Sequence, residues 1–207
     1  MGNFVIAITR TCGSGGTTIA RKLAAHYGVD MYDRKLLQLA SDDSGISYEL
    51  FSKADQMMCH KPLFVAAKKV YKGELIPPES NDFTSNDNLF NYQAKILKEL
   101  TKKESYVVVG RAADFVLKDY PRLIRVFIYA PHDDCVKHEM EINGYADKAE
   151  AEAQISHMNA YRSAYYEYHT GRKWFDARNY DLTLDTSKFG YDGAAEIIEH
   201  MVDSFDK

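Results

Sequence analysis

Apolar positions in this chain follow two patterns that alternate from one end to the other. Short, near-continuous apolar runs occur at Phe4-Val5-Ile6-Ala7-Ile8-Thr9, Val29–Tyr32, Tyr106-Val107-Val108-Val109, Leu123–Ala130 and Asp181–Asp185. Such runs are the pattern of strands buried on both faces of a parallel sheet. Between them, apolar residues recur at helical spacing. Ile19, Ala20, Leu23, Ala24 and Tyr27 predict a first helix, and Lys35–Ala40 and Tyr48–Met58 predict two more. Leu89, Tyr92, Ile96, Leu97 and Leu100 predict a helix over 89–102, and shorter and longer helices follow at 112–118 and 147–169. Asp192 is expected to cap a last helix carrying Ala195, Ile198, Met201, Val202 and Phe205. The stretch 72–88, with Gly73, Pro77-Pro78 and a polar run, predicts a surface loop. The alternation predicts an α/β fold: a doubly wound parallel sheet of about five strands, with its ligand crevice at the carboxyl ends of the strands.

Composition narrows the picture. At 207 residues, 45% hydrophobic and 27% charged, the chain is long enough for one well-buried core. A net charge of −4 argues against non-specific nucleic-acid binding, which needs a basic face. No apolar stretch reaches bilayer-spanning length, and the N-terminus enters a core strand without a signal-peptide pattern, so no membrane partner and a cytoplasmic location are expected. Cys12, Cys59 and Cys135 have neither disulfide nor zinc-ligand spacing and read as reduced thiols. The seven histidines show no metal or nucleophile spacing.

The first strand delivers Arg10-Thr11-Cys12-Gly13-Ser14-Gly15-Gly16-Thr17-Thr18 to the N-terminus of the first helix. A helix N-terminus presents unpaired N–H groups, and glycines let the backbone wrap an anion closely. The constellation reads as a phosphate-binding P-loop, Gly13, Ser14, Gly15, Gly16 and Thr17 forming the cradle, with Thr17 or Thr18 offering a hydroxyl to a metal or phosphate. It departs from G-x-x-x-x-G-K-[ST] twice: Arg10 stands where the first glycine belongs, and Gly16 where the lysine belongs. The second strand ends at Asp33-Arg34 and the third at Gly110-Arg111-Ala112-Ala113-Asp114. Arg111 is placed to clamp a phosphate or to form a structural ion pair; Asp33 is placed to hold a magnesium-bound water or a sugar hydroxyl, or to cap the next helix. Arg162, Arg172, Lys173 and Arg178 lie on the long helix and its exit, beside a break at Thr170-Gly171, as an arginine-bearing lid would. Tyr161 and Tyr165 are expected to face the core.

Taken together, Asp33-Arg34, Val107–Asp114, Arg162-Ser163-Ala164-Tyr165-Tyr166, Thr170-Gly171-Arg172-Lys173-Trp174 and Asn179–Ser187 resemble the cytidylate kinase-like family of P-loop proteins. The resemblance implies a P-loop NTPase fold in one domain: a core of 1–44, 105–145 and 179–207, a monophosphate-binding insertion at about 45–104 and a lid at about 146–178. It implies an ATP- and Mg²⁺-dependent kinase that transfers the γ-phosphoryl group to an acceptor such as a nucleoside monophosphate. Arg10, Gly13–Thr18 would face the donor, with Thr17 on the metal; Asp33, Arg34 and Asp114 would face the acceptor; Arg111, Arg162 and Arg172 would act in transfer. The chain departs from the family at Gly16, at Thr17 where an arginine commonly follows, at Val109 and Ala112, which replace two carboxylates, and at Asn159-Ala160-Tyr161-Arg162, which keeps only the arginine of Asp-Lys-x-Arg. Arg10, Arg21 and Lys22 are the candidate substitute cations. A nucleotide-binding regulatory module, or a degenerate kinase without turnover, is the alternative.

Overall fold

The computed structural model describes residues 2–57 and 70–206; Cys59 and the expected end of the third helix at Met58 lie outside them. Five strands, β1 (Val5–Arg10), β2 (Asp30–Tyr32), β3 (Tyr106–Val109), β4 (Leu123–Tyr129) and β5 (Leu182–Asp185), form one sheet in the order β2-β3-β1-β4-β5. Every pairing is parallel. The helices are α1 (Gly16–Tyr27), α2 (Lys35–Ser44), α3 (Tyr48–Met57), α4 (Asn86–Leu100), α5 (Ala113–Val116), α6 (His132–Asn143), α7 (Lys148–Thr170) and α8 (Thr186–Asp203). This is a doubly wound α/β architecture.

Alternation along β1 explains the layering. Val5 and Ala7 pack into one core with Leu36, Leu37, Phe90, Leu97 and Trp174. Ile6 and Ile8 pack on the other face, against Ile19 and Leu23 of α1 and Ile198 of α8. All four β1 residues are at most 2% exposed, and burying each such aliphatic side chain is worth about 1.5–3 kcal/mol. Because β1 pairs with β3 on one side and β4 on the other, the strand order reverses at β1, and a crevice opens beyond its carboxyl end. Among the described residues no helix is long and apolar enough to cross a membrane.

Four boundaries differ from the sequence expectation, each for a local reason. Asp192 does not cap the last helix: Asp185 does, its Oδ1 accepting from Ser187 N at 2.9 Å, and a non-helical Gly190 kinks α8 before Asp192, which pairs with Lys22 instead. The α6 helix, absent from the sequence reading, carries only two buried residues, Cys135 and Val136, so its apolar period is faint. The helix expected over 112–118 shrinks to Ala113–Val116 because Gly110, Arg111 and Ala112 all take positive φ. Helix α4 starts early because Ser85 caps it, and the loop before it is stitched inward by fully buried Asn88, which accepts from Ile76 N and donates to Ile76 O and Phe83 O.

Candidate active site

The turn after β1 is held by three different helices. Cys12 N donates to Asn159 Oδ1 of α7 at 2.8 Å. His138 of α6 places Nδ1 2.9 Å from Gly13 O. Thr186 of α8 donates to Ser14 O at 3.0 Å, while Ser14 Oγ turns back to Thr11 O at 2.8 Å. Gly13 and Gly15 sit at φ 78° and 79°, where glycine carries no penalty. Gly15 precedes α1 without a side-chain cap, and the first turn of α1 holds no acidic residue. The positive end of the helix therefore faces a cavity lined by the loop, Arg21, His138 and Glu139.

A second cavity lies beside the first, beyond the ends of β1 and β3. Asp33, Arg34, Arg111, Tyr161, Tyr165 and Trp174 line it. Two residues, Arg10 and Arg162, line both cavities. Arg162 Nη1 donates to Arg10 O at 3.2 Å, so α7 reaches across to the end of β1. The Arg10 side chain is half-buried, its Nε covered, and it passes over two glycines. A Cβ on Gly16 would stand 2.5 Å from Arg10 Cβ, and one on Gly110 would stand 2.7 Å from Arg10 Nη1. Arg111 and Ala112, at φ 61° and 49°, are the described non-glycine residues with positive φ. Such conformations cost on the order of 1–3 kcal/mol each and persist where surrounding structure enforces them, commonly at functional sites. Here they aim Arg111 into the second cavity.

The sequence pattern of the cytidylate kinase-like family matches residues 5–188. The chain belongs to that family. Relatives include a cytidylate kinase of Pyrococcus furiosus, 24% identical over 99% of this chain and 91% of its own length, and one of Methanopyrus kandleri, 24% identical over 96% and 93%. The crystal structure of an uncharacterized protein from Eubacterium ventriosum superposes with a TM-score of 0.71, at 27% identity over 98% of this chain and 99% of the other. The resemblance read from the strand-end and lid motifs thus holds for nearly the whole chain.

In this member of the cytidylate kinase-like family, the site residues expected from the sequence divide by position. Arg10, Gly13, Gly15, Gly16, Thr17, Thr18 and Arg162 meet around the loop cavity, with Ser14 buried behind it. Asp33, Arg34 and Arg111 meet in the neighbouring cavity. The Asp33 carboxylate accepts from Arg34 N, and the side chain caps no helix. Arg172 and Asp114 line neither cavity. The Arg172 guanidinium lies over the Phe115 ring, 5.0 Å from its centroid. Asp114 is 2% exposed and sits behind Tyr166, whose hydroxyl donates to Oδ2 at 2.7 Å; burial pushes the carboxyl up to about 6. It orients a cavity residue and does not face the cavity itself. Of Tyr161 and Tyr165, both expected to face the core, Tyr165 does pack against it, on Phe90, and both also line the cavity. Burial pushes the Cys12 thiol up to about 11 and raises Cys135 as well, so both stay protonated.

Sequence reasoning missed His138, Asn159 as an anchor, Thr186 and Tyr191. Asn159 and Thr186 fall inside motif segments quoted for the resemblance, but no local pattern shows that they, His138 or Tyr191, whose ring lies against Gly15, reach the loop from elements far along the chain. Only the i, i+3 pairing of Asn159 with Arg162 on α7, both turned to the end of β1, carries a sequence signal.

Proposed function

We propose that this protein is an ATP-dependent kinase that transfers the γ-phosphoryl group to a small anionic acceptor, with a nucleoside monophosphate as the first candidate. The observation that carries the reading is the pair Arg10 and Arg162, which line both cavities and so stand where a phosphoryl group would pass from donor to acceptor. Phosphoryl transfer demands little covalent chemistry of the protein; it demands positive charge over the moving group and correct alignment. The acceptor oxygen forms a bond to the γ-phosphorus as the bond to the β–γ bridging oxygen breaks, and ADP leaves with that oxygen. A phosphate acceptor is already a nucleophile and needs no general base.

The residues fit the donor. The glycine turn and uncapped start of α1 offer N–H groups to phosphate oxygens, and the buried Arg10 Nε has no hydrogen-bond partner among the described residues. Thr17 or Thr18 would supply a hydroxyl to Mg²⁺, which would offset negative charge on the donor phosphates. Arg111, Arg34 and Asp33 would meet the acceptor. The segment 146–178, which contains α7, would serve as a lid carrying Arg162, and 45–104 as the insertion over the acceptor. A cytoplasmic enzyme fits this chemistry.

The test is ADP release with CMP first, then dCMP, UMP and a set of small phosphorylated and hydroxylated metabolites, with and without Mg²⁺. Magnesium-dependent turnover with an acceptor supports the kinase. Gly16 in the lysine position favours the second reading, a nucleotide-binding module without turnover. Saturable ATP binding with no ADP from any acceptor selects that reading, and failure to bind any nucleotide refutes both.

A further inference from the structure

We infer that Arg10 is the phosphate-binding cation of this site, supplied from the end of β1 in place of a lysine at the start of α1, and that Gly16 and Gly110 are glycine because its side chain crosses both. Three observations converge on it. The space a residue-16 side chain would enter is already filled, since a Cβ there would lie 2.5 Å from Arg10 Cβ and 2.9 Å from its Cγ. No lysine fits position 16 while Arg10 stays in place. At Gly110 a Cβ would meet Nη1 at 2.7 Å, so both ends of the arginine run against a glycine.

The second observation is the electrostatic setting. Arg10 is half-buried with its Nε fully covered, Arg162 and Arg111 press on it with like charge, and Cys12 and Asp33 oppose them more weakly. A guanidinium cannot escape such a place by losing its proton. Gathering three arginines around one opening makes sense when an anion completes the site. The third is that Arg10 Nε is buried with no hydrogen-bond partner among the described residues, while the side chain lines both cavities.

The position differs from that of a P-loop lysine in its consequences. A lysine on the first turn of α1 is a point charge over the donor phosphates. A guanidinium at the partition between the cavities is a planar fork, able to hold one oxygen from each side at once. The inference deepens the kinase reading, and its kinetic arm rests on that reading; its binding arm does not.

The experiment uses inorganic tripolyphosphate as the probe, titrated by calorimetry into the parent, Arg10→Gln, Arg10→Lys, Gly16→Lys and the double variant Arg10→Gly/Gly16→Lys, which removes the Cβ and Cγ that a residue-16 side chain would meet, with melting temperatures recorded for all. Arg10→Gln is expected to lose at least tenfold in tripolyphosphate affinity, and Arg10→Lys to retain most of it. Gly16→Lys alone is expected to melt earlier than the parent through its collision with Arg10. The double variant is expected to melt later than Gly16→Lys alone and to recover affinity relative to Arg10→Gln. Tripolyphosphate binding within twofold of the parent in Arg10→Gln overturns the inference. So does a double variant that shows no recovery of affinity, or a parent that does not bind the probe. Should Arg10→Gln not fold, a tenfold loss of affinity in Arg10→Lys would overturn the claim that charge at this position suffices. Where the parent shows turnover, kcat should follow the same order across the variants. If it releases no ADP with any acceptor, the kinase reading falls while the affinity series still decides Arg10.

Discussion

Asp114→Asn should change the pH dependence of stability in a way that a merely structural polar residue would not. The Asp114 carboxyl is 2% exposed, its Oδ1 has no hydrogen-bond partner among the described residues, and burial raises it from 3.8 to about 6 against the pull of the Tyr166 hydroxyl, Arg125 and Arg172. At about 1.36 kcal/mol per pH unit, holding that group ionised costs the fold about 3 kcal/mol. A carboxyl raised on folding favours the native state most below its unfolded value, and that advantage is lost as pH rises from about 3.8 to about 6. One turn further along α7 the opposite case is built in. His169 is 3% exposed and stacked on Phe90 with ring centroids 3.9 Å apart, and burial holds it down to about 3, with only Asp87 pulling it up. Its neutral form stabilises the fold above the unfolded value of 6.5, and that contribution is lost as pH falls toward 3, about 3 kcal/mol of it between pH 6 and pH 4. In the parent the two slopes nearly cancel over that window. Urea unfolding of parent and Asp114→Asn at pH 4, 5, 6 and 7, followed by the fluorescence of buried Trp174, isolates the carboxyl. The stability of the variant relative to the parent should rise by about 2 kcal/mol from pH 4 to pH 6 and level off above that. His169→Gln should show the mirror image, losing ground to the parent as pH rises. A difference between Asp114→Asn and parent that stays constant within about 1 kcal/mol from pH 4 to pH 6.5 would refute the reasoning.

Further expectations follow from the loop and the arginines. Gly15→Val places its Cβ 2.2 Å from the Tyr191 ring at φ 79°, so the ring must move and the loop deform; the shift in melting temperature on adding ATP should vanish, and a folded variant that keeps it counts against the loop as donor site. Arg162→Ala should lower kcat by about 10²–10³-fold, as removal of a preorganised charge stabiliser does, while ATP affinity changes far less; equal losses in both would make Arg162 a ground-state binder. Arg111→Gly relieves a left-handed residue worth about 1–2 kcal/mol, so it should melt no earlier than the parent while the acceptor KM rises. A drop of several degrees in melting temperature would mean that contacts of Arg111 outweigh the strain.

The order of the strands and of every helix but α6 was written in the chain, because burying both faces of a parallel strand requires an unbroken apolar run, and covering a sheet requires a helical apolar stripe. Tyr106–Val109 and Leu123–Tyr129 could be little else. The glycine loop was legible for a similar reason: positive φ at Gly13 and Gly15 is a local demand that residue type records. What local sequence could not decide was which side chains meet. Nothing near Gly16 says why it is not lysine; the reason is the Arg10 side chain folded over it, six residues earlier on another element. Arg172 sits on Phe115 and Asp114 behind Tyr166 because α5 is cut short by three left-handed residues, a backbone choice that neither Arg111 nor Ala112 favours by itself. Anchors such as His138, Asn159 and Thr186 each come from a different helix, and their common target exists only once the sheet has brought the helix ends together. Periodicity is a property of neighbouring residues and survives in the sequence. A site made of single residues from distant elements has no period, so only tertiary packing defines it.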